Sequence, residues 1–191
     1  MSTKHIAKSA TKVSLITMLS RIMGYLRDSI SAALLGVGLV SDAFYVAFRI
    51  PNLLRNLLAE GALSSAFIPV FTDYLEKKDR KDVWLMAANV MTVLTIILVI
   101  VTALGMTFSD PIVSLIAPGF SNDPFKFKLT VELTRWFFPF ILLVSVAALL
   151  LGILNSLKKF SMPAFAPVVL NLAMILAGLF ICPRLGDKPE Q

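Results

Sequence analysis

The run of residues 90–106 decides the fold, and it reads VMTVLTIILVIVTALGM. This run has no charged side chain, and it lies inside a longer apolar segment at about 83–108. A helix that crosses the hydrocarbon core of a membrane needs about 20 mostly apolar residues, and this segment is long enough. We therefore predict that it forms a helix surrounded by lipid.

The composition of the whole chain agrees with a membrane protein. Of its 191 residues, 57% are hydrophobic and 16% are charged, which is unlike a soluble domain. The formal charge of +6 falls mostly in short loops, so we expect no nucleic-acid partner. Cys182 and His5 are each the only residue of their type, which excludes an internal disulfide and a His/Cys zinc cluster. We expect no metal, cofactor or catalytic residue.

Five segments are long and apolar enough to predict an all-α integral membrane protein. They lie at about 10–36, 42–75, 83–108, 127–156 and 163–182. The second contains Pro51, Gly61 and Pro69, so we expect it to be kinked or broken. A shorter apolar segment at 110–120 predicts an interfacial or re-entrant half-helix.

The distribution of positive charge predicts the orientation. The N-terminal lysines and the loops around residues 76–82 and 158–159 hold nine of the 18 Lys and Arg residues. Basic loops stay on the cytoplasmic side of a membrane, so we expect a cytoplasmic N-terminus. Lysines before an apolar stretch are also typical of a signal peptide. This stretch continues past Arg21 and Arg27, which favours a first helix that is retained.

The first two segments carry an unusual set of charged residues. An arginine at the centre of a lone membrane helix costs about 2.5–3.5 kcal/mol, so such residues need partners or a water-filled cavity. Four arginines against three acids leave a positive site, and the planar guanidinium grips phosphate through two parallel hydrogen bonds. We therefore predict a cavity for an anionic ligand, such as a diphosphate head group, with these candidate binding residues: Arg21, Arg27, Asp28, Asp42, Arg49, Arg55 and Glu60.

Structural roles remain open for the same residues. Arg21 and Arg27 can be tied to Asp28 or to backbone carbonyls. The arginines that flank Pro51 can extend their charged ends to the membrane surface. Asp42 can be a simple helix N-cap, and Glu60 can neutralise an arginine.

Residues 20–71, SRIMGYLRDSISAALLGVGLVSDAFYVAFRIPNLLRNLLAEGALSSAFIPVF, resemble the opening of the MurJ (MviN) lipid II flippases of the MOP exporter superfamily. The resemblance continues through IAPGF at 116–120 and FSMPAFAPVVLNLAMI at 160–175. It implies a bacterial inner-membrane protein that exports lipid II by alternating access between two helical lobes. It also implies that Arg21, Arg27, Asp28, Asp42 and Arg55 face a central cavity, and Arg49 occupies a basic position in the same stretch.

Family members have two lobes of six helices and further C-terminal helices, whereas about five spans are predicted here. We therefore expect this chain to be the N-terminal portion of such a protein, an incomplete lobe over 1–191. Other hypotheses are a MOP-type exporter of a drug or another polyprenyl-linked sugar, and a non-transporting scaffold that binds cell-wall synthesis proteins. An enzyme of polyprenyl-phosphate metabolism would need a metal-binding acidic pair or an activated nucleophile.

Overall fold

The computed structural model describes residues 3–56 and 64–181, and within these ranges every regular element is helical. The chain divides into two compact units. Unit 1 combines the residues up to Ser41 with those from Leu157 onward, and unit 2 comprises Asp42–Ser156. The predicted all-α fold is confirmed for the part of the chain that the structure describes.

The helices follow one another in this order: α1 Thr3–Leu35, α2 Leu39–Arg55, α3 Ser64–Lys77, α4 Arg80–Thr107, α5 Ser109–Ile116, a 3₁₀ helix Pro118–Asn122, α6 Pro124–Ser156, α7 Ser161–Leu176 and a π-helical turn Ala177–Ile181. Within the predicted segment at 42–75 the structure describes two helices, α2 and α3. Pro51 lies inside α2 and Pro69 inside α3, while Gly61 lies outside the described residues.

By length and composition, three of the described helices are apolar enough to cross a membrane: Arg80–Thr107, Pro124–Ser156 and Ser161–Ile181. They correspond to the third, fourth and fifth predicted spans. Helix α1 is 33 residues long but carries charged side chains, and α2 and α3 have 17 and 14 residues. Five spans therefore remain a prediction, and so do the cytoplasmic N-terminus and the interfacial position of residues 110–120.

Unit 1 consists mainly of α1 packed along α7. The turn after α7 also contacts α1. Its Gly178 lies so close to Leu34 that a Cβ added at Gly178 would be 3.1 Å from Leu34 Cδ1. Helix α1 ends at Leu35, and Gly36 follows with φ +65° while its N–H donates to the Ala32 carbonyl. Glycine adopts this left-handed conformation at helix ends without steric strain. Two sequence-distant helices thus form one packed pair.

Unit 2 is built around α6, which contacts α3, α4 and α5. Its core draws one or more buried side chains from each of four helices, and Leu98 of α4 and Ile141 of α6 have no exposed surface. Helix α2 joins α6 through phenylalanine rings. Phe44 and Phe48 meet Phe137 edge-to-face, with ring centroids 5.4 and 5.8 Å apart. Such geometry is favoured by the quadrupoles of aromatic rings.

Candidate functional site

Arg27 lies on α1 with its guanidinium bonded on two sides. Its Nε and Nη2 donate to one carboxylate oxygen of Asp28, at 3.0 and 2.8 Å. Its Nη1 donates to Oδ1 of Asn171 on α7, at 2.8 Å. A guanidinium has five N–H donors, and the three nitrogens that donate here leave two N–H groups for a ligand.

Asn171 connects the two helices of unit 1 through both ends of its amide. While Oδ1 accepts from Arg27, Nδ2 donates to the Ser20 carbonyl of α1 at 3.1 Å. Asn171 is only 6% exposed, and a Cβ at Gly24 would lie 3.5 Å from its Nδ2. A buried amide with both ends hydrogen-bonded has a fixed orientation. The guanidinium of Arg27, a residue of α1, is therefore held in a defined position against α7.

A second cluster of charge lies in unit 2 and contains Asp42. The Lys126 ammonium donates to Asp42 Oδ2 at 2.6 Å, and it also lies 4.1 Å from the centre of the Phe120 ring. Lys126 has an 18% exposed side chain, whereas that of Asp42 is 57% exposed. The pair joins the start of α2 to the start of α6, because each residue lies in the first turns of its helix.

The structure assigns the N-cap of α2 to a residue other than Asp42. Helix α2 begins at Leu39, so Asp42 lies in its first turn and is not the N-cap. Gly38 precedes the helix, and Ser41 of the first turn bonds back to it: Ser41 Oγ accepts from the Gly38 N–H at 3.2 Å and donates to the Gly38 carbonyl at 3.0 Å. This serine takes the position from which a side chain reaches back to the residue before the helix. The N-cap interpretation of Asp42 was wrong.

The other predicted site residues have different surroundings. Arg21 and Arg49 are exposed, and within the described ranges neither forms a hydrogen bond or an ion pair. Arg55 is the last residue of α2, and its side chain lies outside the described part of the structure. Glu60 also lies outside it. The structure thus brings Arg27 and Asp28 together with a new partner, while a binding role for the seven residues stays a prediction.

Three contacts were missing from the sequence interpretation. Asn171 interrupts the apolar run LNLAMI, and a lone amide in a predicted membrane helix is the signal that could have identified it. Nothing in the sequence related Lys126 to Asp42, which lies 84 residues earlier. Arg135 of α6 forms an ion pair with Asp110 of α5 at 2.5 Å, although 25 residues separate them. Spacing along one helix gives no sign of pairs that join different helices.

Unit 2 also contains an apolar pocket of about 480 Å³, lined by residues of α2, α4, α5 and α6. Ile50, Leu104 and Phe138 contribute to its wall, which carries no charged side chain. A pocket of this kind does not bind an anionic head group, since nothing compensates the lost hydration of the charge. In the described ranges, no group of three His, Cys, Asp or Glu residues is placed to hold a metal ion.

Comparison with known proteins identifies the family. The family model "Lipid II flippase MurJ" matches residues 31–190. The chain belongs to the MurJ family. It is 40% identical over 185 residues to the probable lipid II flippase MurJ of Buchnera aphidicola subsp. Acyrthosiphon pisum. These residues are 95% of this chain and 36% of that protein.

Two further relatives show similar coverage. The lipid II flippase MurJ of Burkholderia cenocepacia is 40% identical over 181 residues, which are 95% of this chain and 35% of the relative. The probable lipid II flippase MurJ of Vibrio cholerae is 38% identical over 194 residues, covering 98% and 37%. The chain thus spans about a third of the length of these MurJ relatives. The family and the apolar helices identify a multi-pass integral membrane protein of a transporter family.

Proposed function

We propose that this chain takes part in exporting lipid II, the undecaprenyl diphosphate-linked precursor of peptidoglycan, across the bacterial inner membrane by alternating access. The observation that supports this most is the Arg27 group on α1. There a guanidinium sits on a helix of a membrane protein, held by a buried amide and by an exposed carboxylate that another anion can replace. A diphosphate is an anion that arginine binds well.

The remaining predicted residues complete the proposal. Arg21 and Arg49 have exposed guanidinium groups within the described ranges, so they are available to phosphate or sugar oxygens. We propose that Arg21, Arg27, Asp28, Asp42, Arg49, Arg55 and Glu60 belong to the substrate-binding site, where Asp28 orients the Arg27 guanidinium until a phosphate replaces it. The charged loops support a cytoplasmic N-terminus. We also propose cell-wall synthesis proteins as partners.

The test is the exposure of lipid II on the outer face of the inner membrane in cells depleted of their own flippase. The protein is supplied in its natural length, as wild type or as Arg27→Ala. We expect wild type to restore exposure and Arg27→Ala to reduce it at least tenfold, because a charge-assisted contact to phosphate contributes about 1.5–3 kcal/mol.

Equal amounts of both proteins in the membrane fraction are the required control. If wild type does not restore the exposure of lipid II, the proposed cargo is wrong. Export of another polyprenyl-linked sugar or of a drug is then tested next. If Arg27→Ala restores as much exposure as wild type, the cargo stands and the assignment of Arg27 to the binding site is wrong.

A further inference from the structure

The two sides of the Arg27 guanidinium have partners of opposite character. The Nε–Nη2 edge faces the Asp28 carboxylate, and the Asp28 side chain is 69% exposed. The Nη1 side faces the Asn171 amide, and that residue is 6% exposed. One partner is thus charged and accessible, while the other is neutral and buried.

These partners also differ in how easily they can leave. Asn171 cannot turn away from Arg27 without also breaking its bond to the Ser20 carbonyl, which would leave buried polar groups unpaired. An unpaired buried polar group is costly, so this contact is expected to persist. The Asp28 carboxylate, by contrast, makes its hydrogen bonds to Arg27 and can be hydrated when it rotates away.

We infer that Asn171 is a positioning residue for Arg27, which holds the Nη1 side on α7 while the Nε–Nη2 edge exchanges Asp28 for a phosphate of the lipid diphosphate. This inference rests on the proposed function. The exchange is balanced, because one anion with two acceptor contacts replaces another on the same edge. A neutral amide at position 171 fixes the guanidinium without competing for its charge.

The test measures the binding of undecaprenyl diphosphate to the purified protein of natural length in detergent. We expect Asn171→Leu to weaken binding about tenfold, since it removes a hydrogen bond to a charged group. Asn171→Asp places a second carboxylate beside Arg27, and we expect it to weaken binding at least as much. Asp28→Asn removes the competing charge, and we expect it to strengthen binding severalfold.

A double-mutant cycle distinguishes positioning from a general structural role. If Asn171 acts through Arg27, Asn171→Leu causes no further loss of affinity in an Arg27→Ala background. Asn155→Leu is the matched control, because it makes the same chemical change at a half-buried asparagine of α6. It is expected to leave affinity unchanged. Should Asn171→Leu fail to fold, Asn171→Asp serves in the same cycle, since it keeps a polar group of the same size.

The outcomes separate this inference from the proposed function. If Asn171→Leu weakens binding equally with and without Arg27, the effect is structural and the inference is overturned. If Arg27→Ala weakens binding but neither Asn171 variant does, the inference alone fails. If wild type does not bind undecaprenyl diphosphate, or Arg27→Ala binds it as wild type does, the proposed site fails and the inference with it.

Discussion

Helices α1 and α4 are 33 and 28 residues long, yet the Arg27 guanidinium of α1 and the threonine hydroxyls of α4 form different kinds of hydrogen bond. In α4 the hydroxyls of Thr92, Thr95 and Thr107 donate to carbonyls four residues earlier in the same helix. In α1 the guanidinium of Arg27 reaches Asn171 on another helix. A hydroxyl is small enough to be satisfied by its own helix, whereas a guanidinium has five donors and needs partners from elsewhere.

This difference makes α1 dependent on α7, while α4 is apolar enough to lie in a membrane without a polar partner. This dependence fixes the orientation of the charged group, because a guanidinium that needs a partner on a second helix is held in place by that partner. Substitutions that introduce a charge into α4 and remove one from α1 test this comparison directly.

The largest effect is expected from placing a charge in α4. Leu98 has no exposed surface and belongs to the core of unit 2, so Leu98→Arg buries a guanidinium without a partner. The transfer of the charge alone costs about 2.5–3.5 kcal/mol, and the packing of the leucine is lost as well. We expect almost no folded protein in the membrane fraction, measured by size-exclusion chromatography after detergent extraction.

Two variants control this experiment. Leu98→Met keeps volume and polarity, and we expect it to cost less than about 1.5 kcal/mol. Arg27→Leu makes the opposite exchange in α1, and we expect the protein to accumulate in normal amounts. Wild-type amounts of folded Leu98→Arg protein would contradict the claim that α4 cannot accommodate a charge.

An intermediate effect is expected from the glycines of the two helices. A Cβ at Gly105 of α4 would overlap the ring of Phe138, whereas a Cβ at Gly24 of α1 would make ordinary contact with Asn171. Gly105→Ala should destabilise the protein by about 1–3 kcal/mol through overpacking. Gly24→Ala should be neutral or stabilising by up to about 1 kcal/mol, since alanine favours helix. Thermal denaturation midpoints in one detergent measure both.

The double variant Gly105→Ala with Phe138→Leu sharpens this result. If overpacking is the cause, the smaller side chain makes room, and the two changes together cost less than the sum of their separate effects. A Gly105→Ala midpoint equal to that of wild type would show that the α4–α6 contact is looser than the structure has it.

The smallest effect is expected at a threonine of α4. The hydroxyl of half-buried Thr95 donates to the Met91 carbonyl at 2.7 Å, and that carbonyl belongs to the same helix. Thr95→Val keeps the shape of the side chain, and the helix loses only a local bond. We expect a change in stability within about 0.5 kcal/mol, measured by the same thermal denaturation. A loss as large as that of Gly105→Ala would mean that this hydroxyl also serves a partner outside α4.

Much of the fold was predictable because it follows from local properties. The length of the apolar runs predicted helices at the positions of α4, α6 and α7, whereas Pro51 and Pro69, which predicted a kink or break, lie inside α2 and α3. The start of α2 was less predictable, since Ser41 and Asp42 are neighbours that both resemble N-caps, yet Gly38 precedes the helix and both of them lie in its first turn. Which of them reaches Gly38 depends on where the helix begins.

The sequence alone determined the class of the protein, its family and the identity of the charged residues, because hydropathy and motifs are properties of neighbouring positions. The tertiary structure decided the partners of those charges. Arg27 and Asn171 are 144 residues apart, and Asp42 and Lys126 are 84 apart. Such pairs exist only once helices have packed, and the periodicity of one helix carries no information about which other helix lies against it.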